Sequence, residues 1–182
     1  MNKTFFYITF FIFTIGLLFS SYNYNKGDVY YDSIYKESVT LTQNSQIKES
    51  IVLLKEITSK NTLFINKRNI NSHYDLGQIY LSRLSDYELA IFHFKFIFNK
   101  IPFKTHKIKK TDKNLKDVNE LRKKSLFMLG YINHNHIGNL TESQKYYHLF
   151  LEQYPDEDLT SSVAYELELI EKSINNFNKI NN

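Results

Sequence analysis

His134, Asn135 and His136 place two imidazoles two positions apart, with His148 further along, and imidazole nitrogen is a common ligand for zinc. A zinc site would need a supporting motif such as a helical His-Glu pair, and none accompanies these residues. A polar turn is the simpler reading, so no metal and no cofactor are expected. Other chemistries are no better supported. The carboxylates show no spacing that singles out an acid-base pair, and there is neither a Gly-rich phosphate loop nor a serine elbow. The chain has no cysteine, which excludes disulfides, thiolate metal sites and thiol catalysis together. The chain does not read as an enzyme.

Charge is the next candidate for function. Between Lys100 and Lys124 ten cations face three acids, giving +7, and the patch is densest at Lys104, Lys107, Lys109, Lys110, Lys113 and Lys116. Between Glu152 and Glu171 seven acids stand with no Lys or Arg, giving −7. These segments could attract each other within the chain, pair between protomers, or meet a phospholipid head group or an acidic partner. A solvated loop is the plain alternative for the basic run. A net charge of +4 falls well short of a dedicated nucleic-acid binder, and no recognition module accompanies the lysines, so no nucleic-acid partner is expected.

The elements that position these residues are expected to be helices. Of 182 residues only five are Gly and two Pro, while 42% are apolar and 23% charged, which suits one globular domain with few long loops. Residues 1–21 stand apart: after Lys3, an uncharged run from Thr4 to Ser21 dense in Phe, Ile and Leu has the layout of a secretory signal peptide. An uncleaved membrane anchor is the competing reading, and either one exports the remainder. Residues 22–29 read as a polar tether. Ile34, Ser38 and Leu41 fall on one helical face, and Ile47, Ile51, Leu54 and Ile57 on another, a degenerate first hairpin. Residues 60–71 read as a polar connector. Ser72 with Asp75 fits a helix-start cap, Ser85 or Asp86 a second, and Thr141 with Gln144 a capping box. Phe92 to Phe98 alternates as a strand would, but Ala90, Phe94, Ile97 and Phe98 also make a helical stripe, and helix is preferred for consistency with its copy. A final helix is expected at about Thr160 to Phe177, with the Asn-rich tail fraying over residues 179–182.

That copy is the main signal. Leu76, Gly77, Ala90, Phe94 and Pro102 return as Leu129, Gly130, Ser143, Tyr147 and Pro155, each 53 positions later. Recurrence at a fixed offset marks stacked supersecondary units that bury their apolar faces against neighbours. With Tyr80 added to the first unit, this pattern resembles the tetratricopeptide repeat: a Leu-Gly pair and an aromatic in the first helix, then Ala, an aromatic and Pro in the second. Asn133 and Ser143 depart from it, and each unit has one extra residue between the Gly and the small residue of the second helix. The usual unit is about 34 residues long, so the longer offset implies an insertion of about 19, the basic run at 103–120. Clear repeats are expected at about 72–102 and 121–155 within a helical domain covering 30–178.

The resemblance implies an all-α, right-handed α-solenoid of about three helix hairpins closed by a C-terminal capping helix. In such stacks the first helix of each pair lines a concave groove. Tyr74, Gln78, Leu81 and Ser82 should then face the same side as Lys124, Phe127, Tyr131, His134 and Asn135, and together could grip an extended peptide. The alternative for Tyr74 and Phe127 is packing between units. With the export signal, the chain is similar to cell-envelope members of this family, the outer-membrane-assembly lipoproteins and Tol-Pal coordinators. Ser20 and Ser21 stand where those lipoproteins carry cysteine, so no lipid anchor is expected. The implied function is a non-catalytic scaffold in the periplasm or cell envelope that binds a protein or peptide partner. A membrane-tethered protein using the basic insertion on anionic lipid is the alternative.

Overall fold

The computed structural model describes residue 14 and residues 28–59, 66–103 and 113–180, all of whose regular structure is helical. The expected signal segment apart from Thr14, the tether up to residue 27, and Lys104, Lys107, Lys109 and Lys110 lie outside the described residues. Among those described, no helix is long and apolar enough to cross a membrane. The chain divides into two compact units, Met1–Leu53 and Leu54–Asn182.

In the first unit, α1 covers residues 28–43 and turns through Ser45, at φ 62°, into α2 (Ile47–Ser59), which continues into the second unit. Ser38 and Ser50 are fully buried where the two helices meet. Ser50 Oγ lies 2.9 Å from the Ser38 carbonyl oxygen and 2.7 Å from Thr42 Oγ1, so small hydroxyl residues close the pair and satisfy each other.

The second unit continues with α3 (Lys67–Ile79), a π-helical turn at Tyr80–Leu84, α4 (Tyr87–Lys100), α5 (Lys113–Ile132), a second π-helical turn at Asn133–Ile137, α6 (Leu140–Gln153) and α7 (Thr160–Ile180). Packing runs α3 on α4, α4 on α5, α3 on α5, α5 on α6 and α6 on α7. The offset of 53 holds in three dimensions. A Cβ on Gly77 would sit 2.9 Å from Phe94 Cε1, and one on Gly130 only 2.4 Å from Tyr147 Cε1, so each glycine lets a ring rest on the facing backbone. Ala90 and Ser143 are fully buried beside them, and Ser143 Oγ donates to the Gly130 carbonyl at 2.8 Å.

The corners repeat as well. Asp86 N donates to Tyr80 O at 2.9 Å and Asn139 N to Asn133 O at 2.8 Å, with Ser85 and Gly138 in the left-handed region at φ 53° and 73°. In the first unit the matching bond, Gln46 N to Leu41 O, spans one residue fewer. The extra residue seen in the two clear repeats is thus taken up as a widened π turn.

Several expected boundaries are corrected. Helix α3 starts at Lys67, not Ser72: Asn66 accepts from the amides of Arg68 and Asn69, while Ser72 is buried inside the helix. Asp86 caps α4 through the Leu89 amide, but Asn139, not Thr141, caps α6 by accepting from Glu142 N. Helix α5 begins at Lys113, so residues 113–120 of the expected insertion are helical; Val118 there packs on a buried cluster of Ile70, Ile97 and Ile101. The helix expected over residues 92–98 is present, with the buried stripe at Ala90, Phe94 and Ile97 running through the alternation. Helix α7 runs to Ile180, past the expected end at Phe177 and into the region expected to fray.

A glycine-to-alanine change inside a helix ordinarily gains about 1 kcal/mol from propensity. Here Gly130→Ala should instead destabilise by about 1–3 kcal/mol through overpacking against Tyr147, and Gly77→Ala by less. Urea unfolding midpoints of the two variants test both the sign and the order.

Candidate functional site

Eight of the nine residues expected to line a groove lie at matching register positions. Tyr74, Gln78, Leu81 and Ser82 sit on α3 and its π turn, and Phe127, Tyr131, His134 and Asn135 stand 53 positions later on α5 and its π turn; Lys124 lies one turn before Phe127. Tyr74 is half-buried against the Ile70, Ile97, Ile101 and Val118 cluster, meets Phe94 edge-on, and accepts from Gln78 Nε2 at 3.1 Å. Burial pushes its phenol pKa up. Phe127 packs in the same way, with ring centroids 6.3 Å from Tyr147 and 6.5 Å from Phe150. Both aromatics therefore serve as packing between helices.

The remaining positions diverge. Ser82 donates to Gln78 O at 2.7 Å and Asn135 Nδ2 to Tyr131 O at 3.2 Å, so each uses its polar group on its own helix. Lys124 is exposed, with Glu120 at 4.0 Å. Phe127 stacks on Tyr131, Tyr131 meets His136 edge-on at 5.5 Å, and His136 stacks on Tyr87 at 4.4 Å. His134 Nδ1 lies 2.9 Å from Glu166 Oε2 of α7. The α5 residues thus gather into one aromatic strip beside a carboxylate. Among the described residues, no hydrogen bond or ring contact joins that strip to Tyr74, Gln78, Leu81 or Ser82.

The other chemistry-bearing residues are dispersed. His134 faces Glu166, His136 lies on Tyr87 and His148 is 3.9 Å from Glu171, and among the described residues no three potential ligands converge. The basic run is only partly a solvated surface. Lys116 is exposed, whereas Arg122 and Lys123 are buried. Arg122 donates to Ile101 O at 2.8 Å, Gln153 Oε1 at 2.8 Å and Tyr154 Oη at 2.7 Å, with its guanidinium over Phe98. Lys123 bridges Glu120 and Glu157 at 2.8 and 2.7 Å, so the basic and acidic segments do attract each other at this point. Burial alone would lower its pKa, but the two carboxylates outweigh that and raise it.

A buried pair that spacing does not flag is His73 with His93. Their Nδ1 atoms are 2.9 Å apart, so one ring donates and the other accepts, and both rings are neutral. His73 stacks on Phe96 at 3.7 Å and His93 on Tyr80 at 5.6 Å, between α3 and α4. Burial, then His93, lowers His73 to about 3. Burial, then Lys55, lowers His93 to about 4. Only its place on a buried helical face marks each histidine, and nothing local announces that the two meet.

Compared with family models, curated proteins and solved structures, the chain gives no match.

Because the folded state holds both histidines neutral while the unfolded chain protonates near 6.5, their contribution is complete above about pH 6.5 and is lost as pH falls toward the folded values near 3 and 4. At pH 5 the loss should be about 2 kcal/mol per histidine. Chemical unfolding between pH 7.5 and 5, with histidine C2–H titration followed by NMR, measures it. A flat stability profile together with two ordinary titrations near 6.5 would contradict the buried pair.

Proposed function

We propose that this chain is a tetratricopeptide-like, right-handed α-solenoid that works as a non-catalytic scaffold in the cell envelope. It binds a peptide or partner domain along the face formed by α3 and α5. The observation that carries this reading is the repeated pair geometry. Gly77 under Phe94 and Gly130 under Tyr147, followed by matching π turns and caps, give two consecutive pairs with one plan. The first helices of those pairs pack on each other as well as on their own partners. Successive pairs built to one plan generate an extended face of first helices, which is the surface stacked repeats use for binding. The aromatic strip at Phe127 and Tyr131 adds the rigid contact area that anchors peptide recognition. The apolar run from Phe5 to Phe19, laid out like a secretory signal, supports the cell-envelope part of this reading.

Crosslinking and pull-down from native envelopes tests the reading. Tyr131→Ala should lower partner capture at least tenfold while helicity by circular dichroism is retained. Tyr74→Ala should weaken capture too, with some loss of stability from its half-buried ring. Unchanged capture in both variants would move the binding surface to Lys107, Lys109 and Lys110, where neutralisation would then abolish it.

A further inference from the structure

The contact between His73 and His93 is not repeated in the copied pair. Adding the offset of 53 brings these positions to Leu126 on α5 and Tyr146 on α6, both buried. Leucine does not titrate, and burial pushes the Tyr146 phenol up to about 12. Two pairs built on one plan therefore differ here: α3 meets α4 through two imidazoles, while α5 and α6 carry groups that keep one protonation state from pH 7.5 to 5.

The geometry makes the imidazole contact intolerant of a further proton. With the Nδ1 atoms 2.9 Å apart, one N–H donates and one lone pair accepts. A proton added to the accepting Nδ1 sets two N–H groups face to face. One carried at His73 Nε2 fares no better, because that atom is buried without a hydrogen-bond partner. Phe96 lies 3.7 Å over His73, and Tyr80 stacks 5.6 Å from His93. The ionisable neighbours are Tyr80 and Lys55 of α2, whose Nζ lies 5.9 Å from the Tyr80 ring and which repels a charge on His93. No carboxylate is among the groups acting on either ring.

Histidines of the α5–α6 half respond in the opposite sense. His134 Nδ1 lies 2.9 Å from Glu166 Oε2, and His148 Nε2 lies 3.9 Å from Glu171 Oε1, so a proton taken up there meets a carboxylate. Acid thus works against one pair and not the other.

We propose that the α3–α4 pair is an acid-sensitive joint, in which protonation at the His73–His93 contact parts the two helices while α5 and α6 stay closed. Tyr74 meets Phe94 edge-on across the same pair and is loosened with it. Protons reach the buried rings through the brief local openings that folded proteins undergo. The joint stands on this contact and holds whatever α3 binds.

Amide hydrogen exchange of the full chain at pH 7.5 and 5.0, corrected for intrinsic exchange rates, reads the two pairs separately. Protection over residues 67–100 should fall at least tenfold more than protection over residues 113–153. The double variant His73→Leu with His93→Tyr, which gives the first pair the residues of the second, should remove that difference. His73→Gln, which keeps a hydrogen-bonding side chain but takes up no proton, should reduce the difference at least threefold, and it decides the matter where the double variant does not fold. Equal loss in both pairs, or none in either, overturns the proposal. A selective loss undiminished in the variants belongs to another group, such as the Asp86 cap of α4, and overturns it too.

Discussion

An aromatic ring resting on a glycine is the contact from which the second unit takes its geometry. Phe94 lies on Gly77 and Tyr147 on Gly130, closer than any side chain at the glycine positions would permit. Each ring is fully buried, so at the glycine the ring's thickness limits how closely the paired helices approach. The small residues Ala90 and Ser143 then become necessary beside the ring. Once helix spacing is fixed, the corner must close at a set distance, and the hydrogen bonds to Tyr80 O and Asn133 O show that it closes in the same way twice.

Joints between successive elements use a different device. Asn69 of α3 donates to Ile57 O near the end of α2, and Arg122 of α5, 53 positions later, donates to Ile101 O just past the end of α4. In both cases a buried polar side chain satisfies a carbonyl that the ending helix leaves without an amide. Arg122 carries more donors than Asn69 and adds Gln153 and Tyr154, tying three elements at one point. Lys123 fastens α5 to the acidic segment ahead of α7 through Glu157. Cations that count toward a basic surface in a linear tally thus include two that hold the helices together.

Helical class, the duplicated Gly-aromatic plan and a cap at Ser85 or Asp86 were all legible from residue types and spacing, because each depends on neighbours within a turn or on recurrence along the chain. Reading residues 92–98 as helix required the copy, since Phe92 is exposed while Phe94 is buried, and alternation alone would suggest a strand. The helix starts were less legible: Asn66 and Asn139 outcompete the Ser72 and Thr141 caps, and which hydroxyl or amide caps a helix depends on where packing begins. The surplus residue was visible but not its form. The candidate site divided along the same line. Register placed Tyr131 and His134 on one face, whereas Glu166 and the buried His73–His93 contact arise only when separate helices are brought together.

The widened turns also have a consequence for how this architecture tolerates change. Between Ser38 and Ser50 the first pair closes its corner with a twelve-residue separation, while Gly130 and Ser143 are thirteen apart, yet the same hydroxyl-to-carbonyl contact forms in both. The corner therefore acts as an expansion joint. The surplus residue is taken up within the turn, and the hydroxyl-to-carbonyl contact beyond it is kept.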